Sequence, residues 1–322
     1  MKEPLGVFAG FGMNVPERVV GNDHFASYLE TSDEWIVERT GISQRRWVED
    51  QESLVGLAEP ACRTALSEAG IGADQLDGII VATSTPDKAF PSTACELQGR
   101  LGAVNAFAFD LGAACSGFLF ASFTASSFLR SGAGKNFLVV GAEIFSRVVD
   151  QQDRGTCILF GDGAGAAVLT SENQSGGEAR GLLGGKIFSD GSLADTLALP
   201  AGNGKAGEFI TMAGRDVFKS AVRSLADSSM QVLEDYGFEA SQLDHYISHQ
   251  ANKRILHAVG KQMGLDESKV HTNVGRYGNT SAASIPLLLT ECVKENRIKE
   301  GDLVMLSAYG GGATWGALLM RW

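Results

Sequence analysis

Cys115 sits in the run Gly112-Ala-Ala-Cys115-Ser-Gly117, where a strand-like stretch gives way to a helical one. Small neighbours let the backbone turn sharply and let a substrate approach the sulfur. The first turn of a helix supplies unpaired N–H groups and the positive end of its dipole, which favours thiolate over thiol. A lone free cysteine is most often a buried packing residue, so its setting and partners must carry the argument. His249 stands in Ser248-His-Gln-Ala-Asn252, at the end of another strand-like run and beside small and amide residues. A histidine so placed can donate or accept protons near neutral pH. His24, His245, His257 and His271 lack that setting and read as structural or surface residues. Asn279 lies in Tyr277-Gly-Asn279-Thr-Ser-Ala-Ala-Ser-Ile-Pro286, where alone it would read as a helix N-cap.

Taken together, the three side chains suit one reaction. Cys115 accepts an acyl group from a thioester. His249 and Asn279 donate hydrogen bonds to the carbonyl of a second thioester and stabilise the enolate left when carbon dioxide departs. Loss of carbon dioxide generates the carbanion, so no strong base has to remove a proton. The backbone N–H of Cys115 and the loop Gly310-Gly311-Gly312 would form a second oxyanion hole.

The elements that must position these residues come in two copies. Gly70-Ile-Gly-Ala-Asp-Gln-Leu-Asp77 reappears as Gly237-Phe-Glu-Ala-Ser-Gln-Leu-Asp244. Each copy follows an amphipathic helical pattern, over 53–69 and 215–236, and precedes a short β-rich run, 78–83 and 245–248. Strand-like 106–110 leads through Cys115 into a helix ending near residue 131. Strand-like 270–273 leads through Asn279 into a helix ending near residue 296. Buried strands 136–141 and 302–307 correspond, and glycine-rich segments at 161 and 310 each open a final strand. The order predicts a duplicated α/β unit with parallel strands covered by helices, divided into halves 1–172 and 173–322. Cys115 and Asn279 occupy equivalent strand-to-helix turns, so a pseudo-two-fold axis would bring them together.

The whole-chain properties narrow the classes. The 322 residues suffice for a large core, and 44% hydrophobic against 20% charged residues excludes a disordered chain. The net charge of −11 argues against nucleic-acid binding. No apolar run is long enough to span a membrane, and the first twenty residues lack a secretory pattern, so a cytoplasmic location is expected. Five widely spaced cysteines with no Cys-x-x-Cys motif argue against a disulfide framework and a structural metal. Gly161-Asp-Gly-Ala-Gly165 resembles a dinucleotide loop but is not followed by a helical pattern, and it reads instead as a tight turn between strands.

At these motifs the chain resembles the 3-oxoacyl-[acyl-carrier-protein] synthase III family of the thiolase superfamily. The similarity runs along almost the whole length. It includes Thr31-Ser-Asp-Glu-Trp-Ile-Val-Glu-Arg-Thr-Gly-Ile42, Ala113-Ala-Cys115-Ser-Gly-Phe118, Phe160-Gly-Asp-Gly-Ala-Gly-Ala-Ala167, His249-Gln-Ala-Asn252, Gly278-Asn-Thr-Ser-Ala-Ala-Ser284 and Gly310-Gly-Gly-Ala-Thr-Trp-Gly316. The resemblance implies a thiolase-like fold of two duplicated halves in five αβαβα layers. It also implies acyl transfer from acyl-CoA to Cys115, then decarboxylative condensation with malonyl-acyl carrier protein served by His249 and Asn279. No cofactor beyond the coenzyme A thioester substrates is implied.

Further residues follow from the same resemblance. Trp35 and Arg39 match an adenine clamp, and their spacing of four on a helix gives them one face. Arg154 and Asn252 match other coenzyme A contacts. Phe90 matches a residue that crosses a homodimer interface to close the acyl pocket. Lys219 and Arg254 match carrier-protein docking positions, and Arg215 and Lys253 extend a basic surface that could receive an acidic partner despite the overall charge. Tyr309, Ala313 and Ser248 depart from common family residues, and Phe145 lies near the expected acyl pocket, so the primer is left open. A secondary-metabolite condensing enzyme of the same fold is the alternative among enzymes. A non-catalytic thioester-binding subunit is disfavoured because Cys115 is present. A true thiolase would need a second cysteine near the glycine loop, and there is none.

Overall fold

The computed structural model describes residues 5–171, 180–201 and 208–322. The expected division between residues 172 and 173 lies outside the described residues. The first part of the chain runs β1 (Val7–Asn14), β2 (Val19–Gly21), α1 (Asn22–Ala26), α2 (Asp33–Thr40), β3 (Gln44–Arg46) and α3 (Leu54–Ala69). It continues through β4 (Gly78–Ala82), α4 (Thr93–Leu101), β5 (Phe107–Leu111), α5 (Gly117–Ser131), β6 (Asn136–Ile144) and β7 (Asp162–Thr170). The second part runs β8 (Gly181–Ser189), β9 (Leu197–Ala198), β10 (Thr211–Met212), α6 (Gly214–Asp235) and β11 (His245–Ser248). It ends with α7 (Lys253–Gln262), α8 (Val274–Tyr277), α9 (Ser284–Lys294), β12 (Leu303–Gly310) and β13 (Thr314–Arg321).

Two large sheets share one strand order. The first is β1-β7-β6-β4-β5 and the second β8-β13-β12-β11, with parallel and antiparallel pairs in matching places. The expected strand at 270–273 is reduced to a single parallel bridge between Val270 and Tyr246, at the position β5 holds in the first sheet. The repeat extends to side chains. Gln75 caps the amide of Gly72 and Gln242 caps that of Glu239, both at 2.8 Å. Asp77 accepts from Asn136 at the start of β6, and Asp244 from Leu303 at the start of β12.

Alternation along the strands builds the layers. Ile80, Ala82, Phe137 and Val139 face α5 and α9, while Ile79, Val81, Leu138 and Val140 face α3 and α4. In the second sheet, Val304, Leu306 and Leu318 face α5 and α9, while Met305, Ala317 and Leu319 face α6 and α7. Helices therefore lie outside, between and outside two sheets, which is the five-layered arrangement expected. Burying α5 and α9 on all sides demands apolar or small residues around their circumference, as both sequences show.

The glycines at 161–165 are not a turn between strands. Gly163 and Gly165 lie within β7, where an added Cβ would meet Leu287 at 3.1 Å and Pro286 at 2.7 Å on α9. Close packing of the central helix, rather than turning, accounts for them. No helix among the described residues is long and apolar enough to cross a membrane.

Candidate active site

The central helices meet at their N-termini, each preceded by one strained turn. Ala114 has φ 45° in the turn Ala114–Ser116 into α5, and Ser281 has φ 48° in the turn Ser281–Ala283 into α9. Non-glycine residues rarely adopt such angles, and the packing around both turns holds them there. An added Cβ on Gly141 of β6 would lie 2.2 Å from the Ala282 carbonyl, so the second turn rests directly on the first sheet.

Cys115, His249 and Asn279 line one cavity of about 860 Å³, mouth included. Gly310 packs on the nucleophile turn, since a Cβ there would lie 2.6 Å from the Cys115 nitrogen. Gly311 lines the cavity wall, whereas Gly312 lies beyond its lining. Gly310 and Gly311 therefore abut the site more closely than Gly312.

Burial works against the expected thiolate. Burial pushes the Cys115 thiol up to about 12, opposed by side-chain hydrogen bonding with Ser281 and reinforced by the nearby Glu143. Loss of hydration on burial opposes the helix dipole at this position. Burial also lowers His249 to about 4, so the ring is neutral at neutral pH. Its Nδ1 lies 2.7 Å from Ser284 Oγ, which is also 2.8 Å from the Ser281 carbonyl. Ser284 has one proton, for that carbonyl or for Nδ1; in the second arrangement the neutral ring carries its own proton on Nε2, the nitrogen left for a substrate carbonyl.

Asn279 serves two ends at once. Its Oδ1 accepts from the Ser281 N–H at 2.9 Å, a local cap of the kind its sequence suggested. That bond orients the amide and leaves Nδ2 as a donor. Its backbone is fixed from the other half, with Asn279 N–H donating to Leu159 O and Gly161 N–H to Asn279 O. A donor amide and a neutral imidazole beside a buried thiol are groups that acyl transfer and condensation can use.

Two family models match the chain, both described as 3-oxoacyl-[acyl-carrier-protein] synthase III, over residues 109–191 and 233–322 (the latter its C-terminal part). The beta-ketoacyl-[acyl-carrier-protein] synthase III of Bartonella tribocorum is 48% identical, covering 98% of this chain and 99% of the relative. This chain belongs to the 3-oxoacyl-[acyl-carrier-protein] synthase III family. It is a condensing acyltransferase that initiates fatty-acid synthesis. The synthase III of Agrobacterium fabrum is equally similar, at 48% identity over 98% of this chain and 99% of the relative. Among solved structures, the synthase III of Aquifex aeolicus superposes with a TM-score of 0.93 at 44% identity, covering 98% of this chain and all of that one. The priming β-ketosynthase of the R1128 polyketide pathway shares the fold (TM-score 0.91) at 30% identity, covering 99% and 97%. The synthase III relatives are thus the more similar in sequence.

A second depression adjoins the synthase cavity and shares Leu159, Met212, Phe218 and Asn252 with it. Trp35, Arg39 and Arg154 meet there, with the two guanidinium carbons 4.3 and 4.5 Å from the Trp35 ring centre. Arg154 also donates to the Glu30 carbonyl. Asn252 is already engaged: Oδ1 caps α7 by accepting from Arg254 N–H, and Nδ2 donates to the Arg39 carbonyl. It thereby ties α7 to the helix that carries Trp35. Arg215, Lys219 and Arg254 border the same depression, and Lys253 lies beside it on α7. No salt bridge neutralises these four among the described residues. Phe90 is 87% exposed and lines neither cavity.

The sequence reading singled out neither Glu143 nor the separate roles of Ser281 and Ser284. Glu143 is fully buried. A carboxylate inside the apolar run Asn136-Phe-Leu-Val-Val-Gly-Ala-Glu-Ile144 was the available signal, because buried acids need a reason.

Proposed function

We propose that Cys115 is the acylated nucleophile, taking its acyl group from acyl-CoA, and that malonyl-acyl carrier protein is the second substrate. The observation that carries this reading is the convergence of a buried thiol, a neutral imidazole and an oriented amide in one cavity. In the first step the sulfur attacks the thioester carbonyl and coenzyme A leaves as its thiolate. In the second, malonyl loses carbon dioxide while His249 Nε2–H and Asn279 Nδ2–H stabilise the enolate oxygen. The carbanion then attacks the acyl carbonyl, whose developing oxyanion faces the Cys115 N–H and the Gly310–Gly312 loop. Collapse of that adduct releases the 3-oxoacyl product and frees the thiolate. Peptide mass spectrometry after incubation with a panel of acyl-CoAs tests this. Acyl mass on the Cys115 peptide that leaves only with a malonyl-carrier-protein chase supports it, and labelling elsewhere overturns it.

Trp35, Arg39 and Arg154 are the proposed nucleotide end of the coenzyme A site, with Asn252 holding the two helices together. Trp35→Ala is expected to raise the KM for acyl-CoA about tenfold, the loss of ~1.4 kcal/mol of stacking and cation–π contact. The KM for malonyl-carrier protein should change much less, and steady-state kinetics in each substrate separates the two.

Carrier-protein docking on Arg215, Lys219, Lys253 and Arg254 draws support from their exposure beside the cavity mouth. Lys219→Glu combined with Arg254→Glu is expected to raise the KM for malonyl-carrier protein at least about tenfold at low salt. The wild-type advantage should shrink as salt rises, while the KM for acyl-CoA stays within about twofold. Equal effects on both substrates would remove the docking assignment.

A homodimer draws support from the open edge of β5, an apolar strand whose Phe107 is 41% exposed, with Val104 and Phe90 also exposed nearby. An unprotected edge of this kind favours pairing with a second copy, and Phe90 would then reach the partner's acyl pocket. The matching sheets support a division of the chain into two halves near residues 172–173. A cytoplasmic setting fits the five free cysteines among the described residues.

A further inference from the structure

Ser281 connects the three residues of the proposed mechanism. Its N–H holds Asn279 Oδ1 at 2.9 Å, and its carbonyl lies 2.8 Å from Ser284 Oγ, which reaches His249 Nδ1 at 2.7 Å. Its hydroxyl donates to Glu143 Oε1 at 3.1 Å, and the same group is the side-chain hydrogen-bonding neighbour that acts on the Cys115 thiol. Glu143 is therefore one hydroxyl away from the nucleophile. Its other oxygen, Oε2, accepts from Thr85 Oγ1 at 2.7 Å, the Ser84 amide at 3.0 Å and Thr83 Oγ1 at 3.3 Å. A carboxylate surrounded by donors stays available as an anion despite full burial.

The surroundings isolate this chain. The segment after β4 presents hydroxyls and an amide to Glu143, the turn before α9 presents Ser281, and β7 presents Gly163 as its register partner. Among the described residues no charged side chain contributes to the Glu143 shift, and Cys115 is the titratable group on which it acts. Burial raises Glu143 to about 7, which places it between the ionised and neutral forms under working conditions.

Two groups around the site could take the thiol proton, and they differ in electrostatic cost. Passing the proton to neutral His249 creates two opposite charges in a buried site. Passing it to ionised Glu143 moves one negative charge a short distance and creates none. Low dielectric favours the second route. It also leaves the His249 proton on Nε2, where condensation uses it.

We propose that Glu143 is the base for acylation of Cys115, taking the thiol proton through the Ser281 hydroxyl and holding it until condensation frees the thiolate. The inference rests on Cys115 being the nucleophile. As the thiol S–H breaks, an O–H forms at Ser281 Oγ while the original Ser281 proton moves to Glu143 Oε1. The acyl carbon–Sγ bond forms, the acyl carbon–coenzyme A sulfur bond breaks, and the departing thiolate takes a proton from solvent. After condensation the Cys115 thiolate recovers the proton from Glu143 by the reverse path. One solvent proton is consumed per turnover, as replacing malonyl carboxylate by carbon dioxide requires.

Rapid-quench mass spectrometry of wild type and Glu143→Gln with acyl-CoA, from pH 5 to 9, is the test, with infrared difference spectra of the acyl-enzyme. Wild-type acylation should rise as Glu143 ionises and level off above about pH 7, and a protonated-carboxyl band should appear on acylation. In Glu143→Gln the burst should slow about 100-fold, lose that limb and show no band. Primer-independent decarboxylation of malonyl-carrier protein should fall far less. Ser281→Ala breaks the relay but keeps the backbone that holds Asn279, so it should reproduce the acylation loss if Glu143→Gln does not fold. Wild-type acylation without the carboxyl band, or a variant with the wild-type burst and pH limb, overturns the relay alone. Equal loss of acylation and decarboxylation with the limb intact reduces Glu143 to a structural role. No acyl mass on wild-type Cys115 overturns the nucleophile assignment as well.

Discussion

Cys115→Ala is expected to abolish acyl transfer, with no acyl mass on the 115 peptide and condensation at least about 10⁴-fold slower. The size follows from where the acyl group is stored. Without the sulfur there is no covalent intermediate, and the malonyl carbanion would have to meet an acyl-CoA in a site built for sequential occupation. Cys115→Ser should fail nearly as completely, because a serine hydroxyl is a far weaker acid than the thiol and has the same acceptors. Both variants should keep the fold, since the sulfur is one atom among the close-packed turns before α5 and α9. Circular dichroism and thermal unfolding check that point. Retained acylation in either variant would show that another side chain carries the acyl group.

Asn279→Ala and Asn279→Asp should separate decarboxylation from acylation. Removing one preorganised donor to an oxyanion costs about 2.7–4 kcal/mol, or roughly 10²–10³ in rate. Carbon dioxide release from malonyl-carrier protein should fall by that amount, while the acyl burst on Cys115 changes less. The aspartate variant is the sharper probe. It preserves the acceptor for the Ser281 N–H and replaces the Nδ2–H donor with an oxygen. A local cap alone would leave Asn279→Asp close to wild type, whereas the donor role leaves it as slow as alanine or slower. His249 should give decarboxylation a flat pH profile above about 5, because its lowered value keeps the ring neutral there. A limb near pH 6.5 would show a charged imidazole instead.

Much of this was readable along the chain. The repeated Gly-x-x-Ala-x-Gln-Leu-Asp segments located equivalent helix-to-strand passages, and the structure shows the same capping glutamines and the same aspartates at the following strands. Helical periodicity placed α3 and α6 within a residue or so of their observed ends. These features are local, so spacing encodes them. The fifth strand of the second sheet is reduced to one bridge because, of Val270–Asn273, only Val270 finds a pairing partner, and local sequence cannot show which residues will. The glycines of β7 were read as a turn because their reason for being small, Pro286 and Leu287 of a distant helix, is tertiary.

The sequence by itself determined which residue types could do the chemistry, because Cys115, His249 and Asn279 each sit in a short local context of small residues at a strand end. Their ionisation was decided only by the fold. Desolvation depends on everything packed around a group, so burial pushes up the thiol of a helix-start cysteine whose sequence setting favours the thiolate. Likewise Glu143, Ser281 and Cys115 come from three separate stretches, and their hydrogen-bond chain exists because two sheets and two buried helices converge on one turn. Proximity across such distances in sequence leaves no periodic trace, and that is why the tertiary structure alone supplies it.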